Sequence, residues 1–150
     1  MEHNVEILRA GSEHVDLVAP LFDAYRRFYQ QESNISDAIK FLSDRISGDQ
    51  SVIFLALVKK KPSGFTQLYP SYTSVSMRKI WILNDLFVEK DARGLGVGKK
   101  LIKSATEFAR QTGAKKLTLA TARDNIPAQK LYDGSGWSKQ DSFLHYDFDI

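Results

Sequence analysis

The stretch Arg93-Gly94-Leu95-Gly96-Val97-Gly98 constrains this chain more than any other. It sets three glycines at alternate positions after the apolar run Leu83-Asn84-Asp85-Leu86-Phe87-Val88. Behind it, Leu101, Ile102, Ala105 and Phe108 recur at helical spacing, so the order is strand, turn, glycine loop, helix. Glycines let a backbone approach a ligand closely. A helix that opens at such a loop aims unpaired N–H groups and its positive dipole end at whatever lies in front. A diphosphate is the natural occupant, and Arg93, Lys99 and Lys100 add positive charge around it.

Spacing tests the competing glycine motifs. A dinucleotide-binding G-x-G-x-x-G fails, because Lys99 lies three residues after Gly96 and Leu101 three after Gly98. A P-loop fails as well, since it needs Gly at position 93 and Ser or Thr at 100, where this chain has Arg93 and Lys100. Taken alone, the three glycines also fit a purely structural turn into a helix.

The net charge of +3 is too small to indicate a nucleic-acid binder, but its distribution is uneven. Residues 1–75 hold 8 basic and 9 acidic side chains, residues 76–150 hold 13 basic and 9 acidic, and the excess gathers near the glycine loop. At 150 residues and 43% hydrophobic content, the chain reads as a single domain spanning 1–150. The absence of cysteine excludes disulfides, thiolate metal sites and a thiol-bound acyl intermediate. No basic leader and no long apolar run is evident, so the expectation is a soluble, cytoplasmic protein without membrane or metal.

The remaining elements follow from periodicity and punctuation. A strand over Val5 to Arg9 leads through Gly11-Ser12, with Ser12 as candidate N-cap, into a helix carrying Val15, Val18, Leu21, Phe22, Tyr25, Phe28 and Tyr29. Pro20 kinks this helix or marks where its main body begins. A second helix is predicted over Ser36 to Ile46 and a strand over Ser51 to Val58. Lys59 to Gly64 then turns into a strand over Phe65 to Tyr69. After a loop from Tyr69 to Ser76 come a strand over Lys79 to Val88, the helix Gly98 to Gln111 and a strand over Leu117 to Ala120. A helix over Ile126 to Tyr132, a turn at Gly134 and Gly136, and a closing strand over Ser142 to Asp149 complete the chain. Early hairpins and a late strand-helix-strand unit imply a mixed α+β sandwich of helices on one central sheet.

The R-x-x-G-x-G pattern at Arg93, Gly96 and Gly98, directly after a strand, resembles the acetyl-CoA-binding motif of the GNAT superfamily of N-acetyltransferases. The stretch Asp124-Asn125-Ile126-Pro127-Ala128-Gln129-Lys130-Leu131-Tyr132, continuing to Gly136-Trp137, resembles that family's second motif. The resemblance covers residues 80–137, and residues 1–75 match only in the order of elements. It implies a twisted, mainly antiparallel sheet in which two parallel strands, Leu83 to Val88 and Leu117 to Ala120, splay apart to admit the pantetheine arm. It further implies that backbone at Leu86, Phe87 and Val88 holds that arm and that amides of Gly94, Leu95, Gly96, Val97, Gly98 and Lys99 hold the diphosphate. Asn125 is then expected to bond the pantetheine region, and Tyr132 to stand near the thioester sulfur.

Without cysteine, the acetyl group is expected to pass directly from acetyl-CoA to an amine in a ternary complex. The amine must lose a proton, the carbonyl must be polarised and the departing thiolate must be protonated. Tyr132 suits the last task, and a backbone N–H at Val88 the second. The base is open. The slot that holds glutamate in relatives acting on polyamines is Asn84, which cannot accept a proton. Asp85 points to the opposite face of a regular strand unless a bulge intervenes, and a water chain ending at Glu32 is the alternative. His14 and His145 read as structural.

The expected acceptor is a primary amine on a small molecule of polyamine, amino-acid or aminoglycoside type. Trp81, Tyr69, Tyr72 and Tyr25 are candidates to line its pocket, and the loop from Tyr69 to Ser76 to shape it. A protein N-terminus or lysine, or a non-catalytic CoA-binding module, are the alternatives. The alternation from Phe143 to Ile150 makes that strand a candidate homodimer interface.

Overall fold

The computed structural model describes residues 4–150, and the chain divides into two compact units, Met1–Ala120 and Thr121–Ile150. The first is built on a five-stranded sheet ordered β1-β2-β3-β4-β5: β1 (Val5–Arg9), β2 (Val52–Val58), β3 (Lys61–Thr73), β4 (Arg78–Val88) and β5 (Leu117–Thr118). The first four strands pair antiparallel and β5 joins β4 in parallel, so the sheet is mixed and mainly antiparallel. The parallel pairing extends only over Trp81↔Leu117 and Ile82↔Thr118. Beyond Ile82 the outer edge of β4 has no strand partner among the described residues, as expected of a splay between Leu83 to Val88 and the strand after Leu117, although that strand runs only over Leu117–Thr118 and not to Ala120.

Helices cover both faces. On one face α1 (Val15–Phe28) and α2 (Ile35–Ser47) bury Val18, Leu21 and Leu42 against Ile53, Leu55 and Phe65. On the other, α3 (Val97–Gln111) presents Leu101, Ile102, Ala105 and Ala109, and Phe108 meets Phe54 and Trp81 at ring separations of 5.9 and 5.1 Å. Gly64 lets α3 approach β3, because a Cβ there would lie 3.1 Å from Val97 and 2.9 Å from the Phe87 carbonyl. No helix among the described residues is long and apolar enough to cross a membrane.

Several boundaries differ from the sequence-based expectations. Ser12 does not cap α1; it opens a short 3-10 turn over Ser12–His14, and His14 takes the cap position. Pro20 is the sixth residue of a continuous α1, where it forfeits its own bond to the Asp16 carbonyl. The β2–β3 turn is Lys59-Lys60 alone, both at positive φ (51° and 66°), the geometry a tight two-residue hairpin requires. Pro62 and Gly64 belong to β3, where a bulge opposite Ala56 and Leu57 accommodates the missing proline N–H. The expected loop from Tyr69 to Ser76 is largely strand: β3 continues to Thr73, paired with β4 down to Arg78. Its polar composition is tolerated because β2 ends its pairing at Leu68, leaving only a two-stranded ribbon beyond it.

The second unit contains α4 (Ile126–Asp133), and residues 142–149 form no strand, contrary to expectation. Alternating side chains permit a strand, but a strand also needs an edge to pair with, and this unit offers a single helix.

Candidate active site

The geometry of β4 is decided at Asn84. Gln67 pairs with Asp85 while Leu68 pairs with Leu83, so Asn84 is an extra residue without a partner on β3. In a regular strand, positions 81, 83, 85 and 87 would share a face. Here Trp81 packs on Phe108 of α3, whereas Phe87 packs into the cluster beneath α1 and α2. The bulge therefore reverses the alternation and gives Asp85 the face that position 84 would otherwise hold.

On that face Asp85 borders a cavity of about 490 Å³. Its walls are Phe22, Tyr25, Arg26 and Tyr29 from α1, Ala38 and Phe41 from α2, and Asp37 and Gln31 toward solvent. Phe22 and Phe41 stack with ring centres 5.7 Å apart, and Tyr25 meets Tyr29 edge-on at 5.0 Å. Phe22, Tyr25 and Tyr29 form one helical stripe of α1 that lines the cavity, and Phe22 and Tyr25 pack on the core as well.

Asp85 is 5% exposed and accepts hydrogen bonds from Gln67 Nε2 at 2.5 Å and Asn84 Nδ2 at 2.9 Å. Burial pushes its pKa above the ordinary aspartate value, and the hydrogen bonds from Gln67, Asn84 and Tyr25 offset only part of that. Gln67 commits its amide nitrogen to Asp85, leaving its buried Oε1 without a partner. Tyr25 donates its hydroxyl to the Asn84 carbonyl at 3.3 Å, and burial together with the nearby Asp85 charge raises its pKa, so it stays a donor. The same two causes push Tyr69 up to about 12. Asn84 itself is not a proton acceptor; it supports Asp85 through its side chain and Tyr25 through its carbonyl.

Of the aromatics expected to line an acceptor pocket, Tyr25 does. Trp81 faces α3, Tyr72 is exposed, and Tyr69 is outside the cavity wall. Glu32 is also outside it, and only its backbone carbonyl is engaged, by Arg26. His14 Nδ1 accepts the Gly11 N–H at 2.9 Å and so serves the start of α1. Phe22, Arg26, Tyr29, Asp37 and Phe41 were not singled out from sequence as pocket residues.

At the far end of β4 a 3-10 turn over Lys90–Ala92 leads into the glycine loop. Gly94 and Gly96 have φ of +80° and +82°, and a Cβ at either would meet nothing within 4 Å. These glycines answer a backbone requirement, and the loop surface stays open to a ligand. Val97 anchors α3 in the core, its first turn has no acidic residue, and Lys99 and Lys100 are exposed beside it. The loop and helix start therefore fit a diphosphate. Arg93 donates its Nε to the Val88 carbonyl at 3.1 Å, tying the loop to the end of β4 beside Leu86 and Phe87.

In the second unit, Asn125 caps α4, its side-chain oxygen accepting the Ala128 N–H at 3.3 Å. The cap uses only the oxygen and leaves the amide nitrogen for a ligand. Tyr132 lies on α4 with its ring 5.8 Å from that of Trp137.

The chain is similar to known acetyltransferases. The profile described as "Acetyltransferase (GNAT) family" matches residues 18–137. The uncharacterized N-acetyltransferase YhfO of Bacillus subtilis is 44% identical over 142 residues, 95% of each chain. The crystal structure of a probable acetyltransferase superposes with a TM-score of 0.91 at 41% identity, covering 97% of both chains. The aminoglycoside N-acetyltransferase AAC(6')-Iy in complex with CoA shares the fold, with a TM-score of 0.84 at 16% identity over 100% of this chain and 98% of that one.

Proposed function

The chain belongs to the GNAT family of acetyltransferases, and from that premise we propose that it moves the acetyl group of acetyl-CoA directly onto a primary amine of a small molecule. The bulge at Asn84 carries this reading, because it turns a buried carboxylate into an aromatic-walled cavity. A cavity of about 490 Å³ is within the range of roughly 300 to 1,000 Å³ typical of small-molecule sites.

Acetyl-CoA supplies an activated acetyl group as a thioester. The glycine loop, the start of α3 and Lys99 hold the diphosphate, and the open edge of β4 at Leu86 to Val88 offers backbone groups to the pantetheine arm. Asp85 accepts a proton from the incoming ammonium. Its raised pKa brings it closer to the working pH than an ordinary aspartate, which improves it as a base. The Val88 N–H serves the carbonyl oxygen, and Tyr132 gives a proton to the departing thiolate. One C–N bond forms and one C–S bond breaks; one amine proton is replaced by the acetyl group, and the net products are an amide, CoA thiol and a proton.

The test is thiol release from acetyl-CoA in the presence of a broad panel of primary amines. At least one small amine should give release that depends on its concentration. Coenzyme binding with no release across the panel would favour a non-catalytic CoA-binding role.

A further inference from the structure

We propose that the acceptor is an α-amino acid whose side chain ends in a primary amine, with its carboxylate held on Arg26 and its α-ammonium toward Asp37. This deepens the function proposed above and rests on it.

The cavity has three charged side chains at graded depth. Asp85 is buried on the sheet, Arg26 is half-buried on α1, and Asp37 is exposed at the start of α2. Between them the walls are aromatic or aliphatic. An amine on an apolar stem explains the buried carboxyl and the rings, since ring faces attract cations. It does not explain Arg26. A guanidinium beside the path repels a polycation, and this one has neither an ion pair nor a ring stacked on it among the described residues.

Arg26 donates one N–H to the Glu32 carbonyl at 3.0 Å, leaving four of its five donors. The neighbouring carboxylate of Asp23 is already committed to Ser33, Asn34 and Arg27. Arg26 is thus a fixed cation on a cavity wall with spare donors in the fork that matches a carboxylate. Asp37, bonded to Asn34 Nδ2 at 2.8 Å, supplies the opposite charge at the mouth. A cation–anion pair at the mouth and an anion at the base complement a zwitterionic head with an amine at the end of its stem. Polyamines and aminoglycosides lack the anionic group.

The experiment compares lysine and ornithine with cadaverine and putrescine, their decarboxylated counterparts, by thiol release. The diamino acids should exceed the diamines in kcat/KM by about 10-fold or more. Arg26→Gln should raise KM for the diamino acid by about 10- to 100-fold, the loss expected for a charge-assisted hydrogen bond, and Arg26→Lys should restore part of it. Coenzyme affinity and melting temperature report folding of each variant. Equal use of diamines and diamino acids, or an Arg26→Gln change that affects kcat and leaves KM unmoved, overturns the acceptor assignment while acetyl transfer stands. No release from any amine by a coenzyme-binding protein defeats the function, and the acceptor with it.

Discussion

The two faces of the sheet treat charge in opposite ways. On the α3 face a smaller cavity of about 280 Å³ has Arg9, Lys79, Trp81, Phe108 and Thr112 in its walls. Its cations are already occupied: Arg9 lies 5.0 Å from the centre of the Phe108 ring and Lys79 4.4 Å from that of Trp81, while Trp81 Nε1 donates to Thr112. On the α1/α2 face Asp85 has its charge buried at a cost, and Arg26 has none of those partners. One face commits its polar groups to holding the fold; on the other, the function proposed above leaves Asp85 and Arg26 for a ligand.

The largest effect that separates the faces is at Asp85. Asp85→Asn should lower turnover by about 10²- to 10⁴-fold, the usual contribution of a positioned base. It should not lower stability at neutral pH. A carboxyl with a raised folded pKa contributes stability at low pH that is lost as pH rises through that value, and the amide removes this loss. Thiol release and melting temperature across pH 4 to 8 check both parts. A variant that keeps full turnover would end the contrast between the faces.

Next in size is Asp23, a buried carboxylate on the same face that is nevertheless structural. It accepts the Ser33 hydroxyl and the Asn34 N–H, both at 2.7 Å, with Arg27 at 3.5 Å. Burial raises its pKa, but the Asn34 N–H, the Ser33 hydroxyl, Arg27 and Arg26 together hold it below the ordinary value. Asp23→Ala should cost about 2 to 4 kcal/mol in denaturant unfolding at pH 7. Because the folded pKa is depressed, that contribution is present above the unfolded pKa and fades as pH falls through the folded one. The gap between wild type and variant should therefore close in acid.

The smallest is on the opposite face. Thr112→Val removes the acceptor of Trp81 Nε1 and the donor to the Ala109 carbonyl, and should cost about 1 to 2 kcal/mol with kcat/KM unchanged. A change in kcat/KM of the size expected at Asp85 would show that the two faces are not independent.

The glycine loop and the helix after it were legible in the sequence because their signal is local. Glycine spacing, Arg93 and the apolar stripe of α3 lie within twenty residues, and Gly94 and Gly96 do take the positive φ that only glycine adopts cheaply. The cavity beside Asp85 was not, because it depends on register. Nothing in Leu83-Asn84-Asp85-Leu86 says which residue is left unpaired; that is decided by how Gln67 and Leu68 seat against it from β3. Tyr25 was a pocket candidate, but Phe22 and Tyr29 were not, because the aromatic spacing of a cavity wall is the same as that of a buried face. The C-terminal alternation misled for the converse reason. Phe143, Leu144, Tyr146 and Phe148 are all exposed, since a strand pattern does not provide the neighbour a strand requires.

The unpaired residue in β4 also bears on how such a protein changes over generations. Losing the single codon for Asn84 would leave every other residue of β4 in place and the sheet able to form. Asp85 would then follow Leu83 directly, keep its place opposite Gln67 and still face the aromatic cavity, because a regular strand gives its next residue the face that Asp85 now holds. A chain so shortened would keep the acid on that face and lose only what Asn84 supplies, the amide bonded to Asp85 and the carbonyl that accepts from Tyr25. Descendants could thus pass from a bulged strand to a regular one and keep the acid in place, with hardly any trace in overall sequence identity.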